Sequence, residues 1–259
     1  MRVVQSSNNI LRELKAVWQK PGISRIEISK LVMLDRSTIT VIVNRLVELG
    51  FIKETDKSLT PYKGGRKPVG LKICEKIGVI LGLEIQTDSY TAAIIGVDGE
   101  TYKTFKGKIE GQKDFFYTFL DIYSEMYKEI EAIGLPLLGL GVATSGIINT
   151  YKGIIVDSNP MGIHEPVNFI AKIKPFIKVP VFIDNDANCG CWGELSQIKD
   201  SRSDDFLYIL GEFRKARFEG DTSRILGVGV GIVIGEGVHF GSDFSAGEYQ
   251  SPRWVPFNK

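Results

Sequence analysis

Two stretches of this 259-residue chain hold side chains whose types and spacing could do chemistry. In the first, Arg36, Ser37, Thr38, Thr40, Asn44 and Arg45 fall on one side of a helix-spaced run. Ile39, Ile42, Val43 and Leu46 fall on the other, with Leu49 one turn on. A capped helix with such a polar face has the chemistry to read base edges in a major groove. In the second, Asp184-Asn185-Asp186-Ala187-Asn188 follows an apolar run directly. Its carboxylates and amides can bind hydroxyl groups, and one carboxylate can act as a base. Both stretches also have plainer readings. The first is then the solvated face of a small helical hairpin. The second is a helix cap, with Asp184 or Asp186 capping a helix from Ala187.

The elements that must position the first group can be read outward from it. Ser24 and Glu27 have capping-box spacing for a helix whose apolar face is Ile28, Leu31 and Val32. Met33 and Leu34 make a tight apolar turn, Asp35 caps the next helix and Gly50 ends it. Upstream, Asn8 or Asn9 is expected to cap a helix running to about Lys20. Ile10, Leu11, Leu14 and Val17 form its buried stripe, and Pro21-Gly22 stop it. Downstream, Phe51 and Ile52 open an extended segment, residues 53–67 are polar and turn-rich, and Val69, Leu71 and Ile73 alternate as a return strand. Three helices and a hairpin make a winged helix-turn-helix. The hairpin tip, Lys63-Gly64-Gly65-Arg66-Lys67-Pro68, lets the backbone lie close to a nucleic acid. Arg66 and Lys67 can then reach phosphates or a narrow minor groove, unless the loop is merely solvated.

From about Ile77 the pattern changes to that of an α/β body. Residues 78–85, 91–97 and 102–109 read as strands, with Asp98-Gly99 as a hairpin turn. Residues 114–133 read as one helix, with Phe115, Phe119, Ile122, Met126 and Ile130 spaced for burial. A strand over 137–142, a helix over 167–176 and a strand over 179–183 follow. That last strand delivers the acidic turn to its carboxyl end, where ligands of α/β sheets favour binding. Gly227, Gly229 and Gly231 lie in an apolar run. They permit close approach of a phosphate, or serve as ordinary packing glycines of a strand.

Net charge is +1, but it is unevenly spread: residues 1–72 hold 14 Lys and Arg against 6 Asp and Glu, a net of +8. The remainder holds 18 against 25, a net of −7. A basic head on an acidic body suggests that the head meets a polyanion. Three cysteines, Cys74, Cys189 and Cys191, fit a reducing cytoplasm better than a disulfide framework. Together with His164 and His239 they make no zinc ligand set at known spacings, and no metal or cofactor is expected. No apolar run reaches the length of a membrane span, and the start carries no signal segment.

Several short motifs, in this order, resemble the ROK family of repressors, open reading frames and sugar kinases. Gly64 to Pro68 (GGRKP) resembles the wing of its repressor branch. Ile183 to Asn188 (IDNDAN) resembles its sugar and catalytic signature. Gly141 to Asn149 (GVATSGIIN) resembles its GVPGxVD-type stretch, with Ser145 and Asn149 substituted. Ser158-Asn159-Pro160 is similar to its sugar-facing loop, and Ser245 to Glu248 (SAGE) to a segment whose Glu touches sugar hydroxyls.

The resemblance implies an N-terminal winged helix-turn-helix over residues 1–73 and an actin-like, ribonuclease H-like sugar-kinase fold over 74–259. The first lobe would run to about residue 186. The second, from about 187, would be incomplete at Lys259. Where the family's kinases place an Asp-x-Gly-Gly-Thr phosphate loop, this chain has Glu84-Ile85-Gln86-Thr87-Asp88. It lacks the glycines that open the backbone to a phosphate, and Asp88 would repel one. Ser251 stands where the family usually has His, and no cysteine cluster follows.

The expectation is therefore a cytoplasmic, homodimeric, sugar-responsive repressor. Operator DNA would meet Arg36, Ser37, Thr38, Thr40, Asn44, Arg45, Arg66 and Lys67. The sugar would meet Asn159, Asn185, Asp186 and Glu248. The runner-up is an ATP-dependent sugar kinase with Asp186 as base. A third reading is a non-catalytic module that binds a protein partner.

Overall fold

Helix spacing in the first fifty residues becomes three helices packed on a small sheet in the computed structural model. The structure describes residues 2–56, 68–111, 114–197, 205–215, 224–235 and 237–248. The elements of the N-terminal part are α1 (Arg2–Gln19), β1 (Ile23–Ser24), α2 (Arg25–Val32), α3 (Arg36–Glu48), β2 (Ile52–Thr55) and β3 (Gly70–Ile73). The strands form an antiparallel sheet in the order β1-β3-β2. Val17, Ile28, Val32, Ile39, Val43, Leu46, Ile52 and Leu71 share one core. The capping box is present in full: the Ser24 side chain accepts from the Glu27 N–H, and Glu27 accepts from the Ser24 N–H at 2.8 Å.

Several expectations for this part need correction. α1 begins at Arg2, so Asn8 and Asn9 lie inside it rather than at its cap. No Pro or Gly precedes them to stop a helix from propagating. Leu11 and Leu31 are exposed, at 63% and 48%, because the buried faces of α1 and α2 are narrower than their apolar stripes. Glu13 is buried instead. Leu49 is likewise exposed, at the C-cap of α3. Met33 turns the chain with φ 54° and is exposed. Asp35 sits at the N-cap of α3 but makes no side-chain capping bond. The basic hairpin tip, including Arg66 and Lys67, lies outside the described residues.

After a 3-10 turn at Glu75–Ile77 come β4 (Val79–Ile85), β5 (Ser89–Gly96), β6 (Thr101–Lys108), α4 (Phe115–Ile133) and β7 (Leu137–Thr144). Then follow β8 (Ile147–Asn149), β9 (Ile154–Asp157), β10 (Val167–Asn168), α5 (Phe169–Ile173), β11 (Val181–Asn185) and α6 (Asp186–Gln197). The last described strands are β12 (Phe206–Lys215), β13 (Arg224–Ile234) and β14 (Gly237–Val238). Five strands make one sheet in the order β11-β7-β4-β5-β6. β11 runs parallel to β7, with Asp184 opposite Ala143 and Asn185 opposite Thr144. Short turns join β4 to β5 and β5 to β6, which makes those pairs hairpins. Two three-stranded sheets, β10-β9-β8 and β12-β13-β14, complete the described body. All five residues expected to line the buried face of α4 are buried. Phe169 packs edge-on to Phe119, with ring centroids 5.0 Å apart.

The helix expected over 167–176 is shorter than its pattern. Val167 and Asn168 pair with Ile155 and Ile154 as a strand, and Asn168 then caps α5 by accepting from the Ala171 N–H at 2.9 Å. The chain divides into two compact units. One comprises Met1–Ile80, Ala93–Thr104 and Tyr127–Leu138, and the other Leu81–Ala92, Phe105–Met126 and Gly139–Lys259. In the first, Ile77 and Val97 pack against the core of the three helices. No described helix is long and apolar enough to cross a membrane.

Candidate functional site

The helix α3 presents Arg36, Ser37, Thr38, Thr40, Asn44 and Arg45 to solvent, because Ile39, Val43 and Leu46 face the core. They are not equally available. The Thr40 hydroxyl donates back to the Arg36 carbonyl at 2.7 Å. Arg45 pairs with Glu48 at 3.3 Å, an exposed contact that contributes little. Asn44 Oδ1 accepts from Arg25 at 3.1 Å, and the same guanidinium nitrogen is 3.0 Å from Glu54. Arg25 thus links α2, α3 and β2 beside the polar face. Sequence reasoning missed it, since its partners lie 19 and 29 residues away. It also missed Val41, which is 70% exposed in the same face. An apolar group there can meet a thymine methyl.

In the body, three strand ends meet. β11 carries Asp184 and Asn185 to the start of α6, β7 ends beside Ser145, and β4 ends beside Gln86. Asn185, not either Asp, is the side-chain cap of α6. Its Oδ1 accepts from the N–H groups of Ala187 at 2.9 Å and Asn188 at 3.3 Å, and its Nδ2 donates to the Gly146 carbonyl at 3.0 Å. Asp184 is structural as well. It accepts from the Asn185 N–H at 2.8 Å, from Asn188 at 3.1 Å and from the Trp192 indole at 3.3 Å. Burial pushes its carboxyl above the usual range, and these donors pull against that.

Asp186 is buried, and both of its oxygens are engaged. Oδ1 accepts from the Ala187 N–H at 2.9 Å. Oδ2 stands 3.2 Å from Gln86 Nε2 and 2.9 Å from Ser145 Oγ. Gln86 and Ser145 are the functional candidates that sequence reasoning passed over, noting them only as departures from a pattern. Glu248 is on the surface of the same unit. Desolvation by surrounding protein, then repulsion from Asp186 and Asp157, raises its carboxyl above the ordinary value. Asn159 is exposed in a loop closed by paired backbone bonds between Ser158 and Ile163, of 2.7 and 3.0 Å. The next residues, Pro160 to Gly162, line a cleft of about 650 Å³. Gln86 and Thr87 at the end of β4 form another wall, and Asp114 and Thr118 at the start of α4 a third. Its volume is in the range of small-molecule sites, but none of Asn159, Asn185, Asp186 and Glu248 is among the residues that line it.

The turn after β4 is closed, not open. The Gln86 N–H bonds the Ser89 carbonyl at 2.9 Å, so it is not offered to a phosphate. Two of the strand glycines, Gly229 and Gly231, have a packing role. A Cβ at Gly231 would lie 2.3 Å from Cys191 Sγ and 2.6 Å from the Ala187 carbonyl oxygen. α6 therefore rests directly on β13. Burial and nearby acids push the thiols of Cys189 and Cys191 up, away from nucleophilic use.

Comparison with known proteins agrees with this arrangement. The model of the ROK family matches residues 80–249, and a winged helix-turn-helix DNA-binding model matches residues 7–53. The xylose repressor of Caldicellulosiruptor bescii is 29% identical over 244 residues, covering 93% of this chain and 57% of that protein. That of Bacillus subtilis is 24% identical over 240 residues, covering 91% and 57%. The chain thus spans a little over half the length of these relatives.

Among solved structures, a ROK family transcriptional regulator described as a homolog of the E. coli MLC protein aligns with TM-score 0.70 and 23% identity. The alignment covers 99% of this chain and 61% of the other. A ROK family glucokinase from Streptomyces griseus, solved with glucose and AMPPNP, aligns with TM-score 0.51 and 21% identity, over 69% and 52%. The fold is a winged helix-turn-helix joined to the actin-like sugar-kinase fold, and the chain belongs to the ROK family.

Proposed function

We propose that this chain acts as a sugar-responsive transcriptional repressor of the cytoplasm, with residues 1–73 on operator DNA and residues 74–259 holding the sugar. The observation that carries this reading is the pairing of two features. A winged helix-turn-helix offers a polar α3 face, and a kinase-like body has a glycine-free, internally bonded turn where a phosphate loop would be. Arg36, Ser37, Thr38, Asn44 and Arg45, with Thr40 and Val41 between them, meet base edges and nearby phosphates. Arg66 and Lys67 meet phosphates from the wing. Asp186 and Glu248, helped by Asn159 and by the second Nδ2 hydrogen of Asn185, hold sugar hydroxyls. The names of the relatives make a pentose such as xylose the first effector to try. Sugar binding then shifts the balance of DNA-competent and DNA-incompetent states by its differential affinity for them. Phosphoryl transfer would need backbone donors around the phosphates, and the Gln86 N–H is already used.

The test is operator binding, on a site selected from random duplexes, with and without a panel of pentoses, hexoses and disaccharides. Arg36→Ala with Asn44→Ala should cost about 1–3 kcal/mol of discrimination for each base no longer read. Asp186→Ala should leave operator affinity within about twofold and blunt the sugar response. Equal binding of operator and random DNA by the wild type sinks the repressor reading. ATP-dependent sugar phosphorylation that is lost in Asp186→Ala makes the chain a kinase instead.

A further inference from the structure

We propose that Gln86 and Ser145 are positioning residues of the effector site, which hold Asp186 as the acceptor for one particular sugar hydroxyl. The proposal rests on the effector reading above. Its geometry begins with Gln86, whose side-chain nitrogen lies 3.1 Å from Glu84 Oε1 and 3.2 Å from Asp186 Oδ2. An amide nitrogen carries two hydrogens, so one can go to each carboxylate. The reverse orientation would set the amide oxygen against both carboxylates, which fixes which end is which. The Gln86 oxygen then faces Ser145 Oγ at 2.9 Å.

Ser145 Oγ is also 2.9 Å from Asp186 Oδ2. A hydroxyl has a single proton to give, so it serves only one of these two acceptors at a time. When the proton goes to Gln86, Asp186 Oδ2 and Ser145 Oγ face each other as two acceptors. A ligand hydroxyl that donates to Asp186 Oδ2 relieves that clash. Gln86 lines the cleft, whereas Asp186 and Ser145 are buried and are not among its walls, so the Gln86 amide is what joins the cleft to the carboxylate. The backbone around this cluster is pinned. Thr144 Oγ1 donates to the Ile85 carbonyl at 3.1 Å, and Ser158 Oγ donates to the Ser145 carbonyl at 2.6 Å. These bonds hold the cluster in one arrangement, which lowers the ordering cost of binding.

Calorimetric titration of the full chain with D-xylose and its monodeoxy analogues tests this. The proteins are the wild type, Gln86→Met, which keeps the length without the amide, and Ser145→Ala. One analogue should bind the wild type at least tenfold more weakly than D-xylose. That ratio should shrink below threefold in each variant whose melting temperature matches the wild type, and two variants guard against one that misfolds. A merely structural role would weaken every ligand by a common factor and leave the analogue ratio intact, which overturns the proposal alone. A wild type that binds neither D-xylose nor any sugar of the panel overturns the effector reading and this proposal with it.

Discussion

Glu13 is the residue least expected from its neighbours in the sequence. It is 0% exposed in α1, and both carboxylate oxygens are without a hydrogen-bond partner. Burial raises its carboxyl from 4.5 to about 7. The folded chain therefore keeps this proton up to about pH 7, whereas the unfolded chain releases it near 4.5. The contribution of this group is most favourable below pH 4.5 and fades as the pH climbs from 4.5 to 7. The full difference is about 3 kcal/mol. Glu13→Leu should raise stability at pH 8 by about 2–3 kcal/mol, with the gain fading toward pH 4.5, since an apolar residue replaces a buried charge. Urea titrations of both proteins at the two pH values check it, and an equal gain at both would assign the effect to packing alone. Other residue roles were hidden for a different reason. Gln86 meets Asp186 across 100 positions and Ser145 meets it across 41, so no local pattern announces either pairing.

Elements were legible where the signal was local. The Ser24–Glu27 box, the Asp98-Gly99 turn and the five-residue stripe of α4 each depend on neighbours within one turn of chain. Elements decided by a distant partner were not. Val167 and Asn168 have a helical pattern, but β9 offers them backbone partners. The cap of α6 falls to Asn185 because β11 extends through that residue, paired with Thr144. The glycines of β13 were ambiguous until α6 was seen resting on them. They give a paired prediction for the α6–β13 layer. Gly231→Ala places a Cβ against backbone as well as Cys191, and such overpacking should cost about 1–3 kcal/mol or more. Gly193→Ala, within α6 and facing open space, should stabilise by about 0.5–1 kcal/mol through helix propensity. Opposite shifts in melting temperature are expected. A Gly231→Ala protein as stable as the wild type would mean that the close seating of α6 on β13 is not required.

On the scale of the whole molecule, the proposed function makes the opposite charges of head and body a testable feature of DNA binding. The +8 over residues 1–72 supplies an attraction independent of sequence, and the −7 of the remainder opposes approach elsewhere. Each phosphate neutralised releases counterions, so log K should fall with log salt by about 0.9 per phosphate. Arg66→Ala with Lys67→Ala should therefore flatten that slope by about 0.9 for each phosphate no longer neutralised, and should weaken binding to operator and random DNA alike. Arg36→Ala with Asn44→Ala should chiefly lower the ratio between the two. The slope also reports assembly. Helix-turn-helix regulators read paired half-sites about one helical turn apart or a multiple of it, which calls for two heads held at a fixed spacing. We expect a homodimer at micromolar concentration. A site with both halves should then give about twice the slope of a single half-site, because twice as many phosphates are covered. Sedimentation velocity with and without operator, run beside the salt titration, measures both quantities. A monomer on the full operator, with the slope of a half-site, would show that one head suffices.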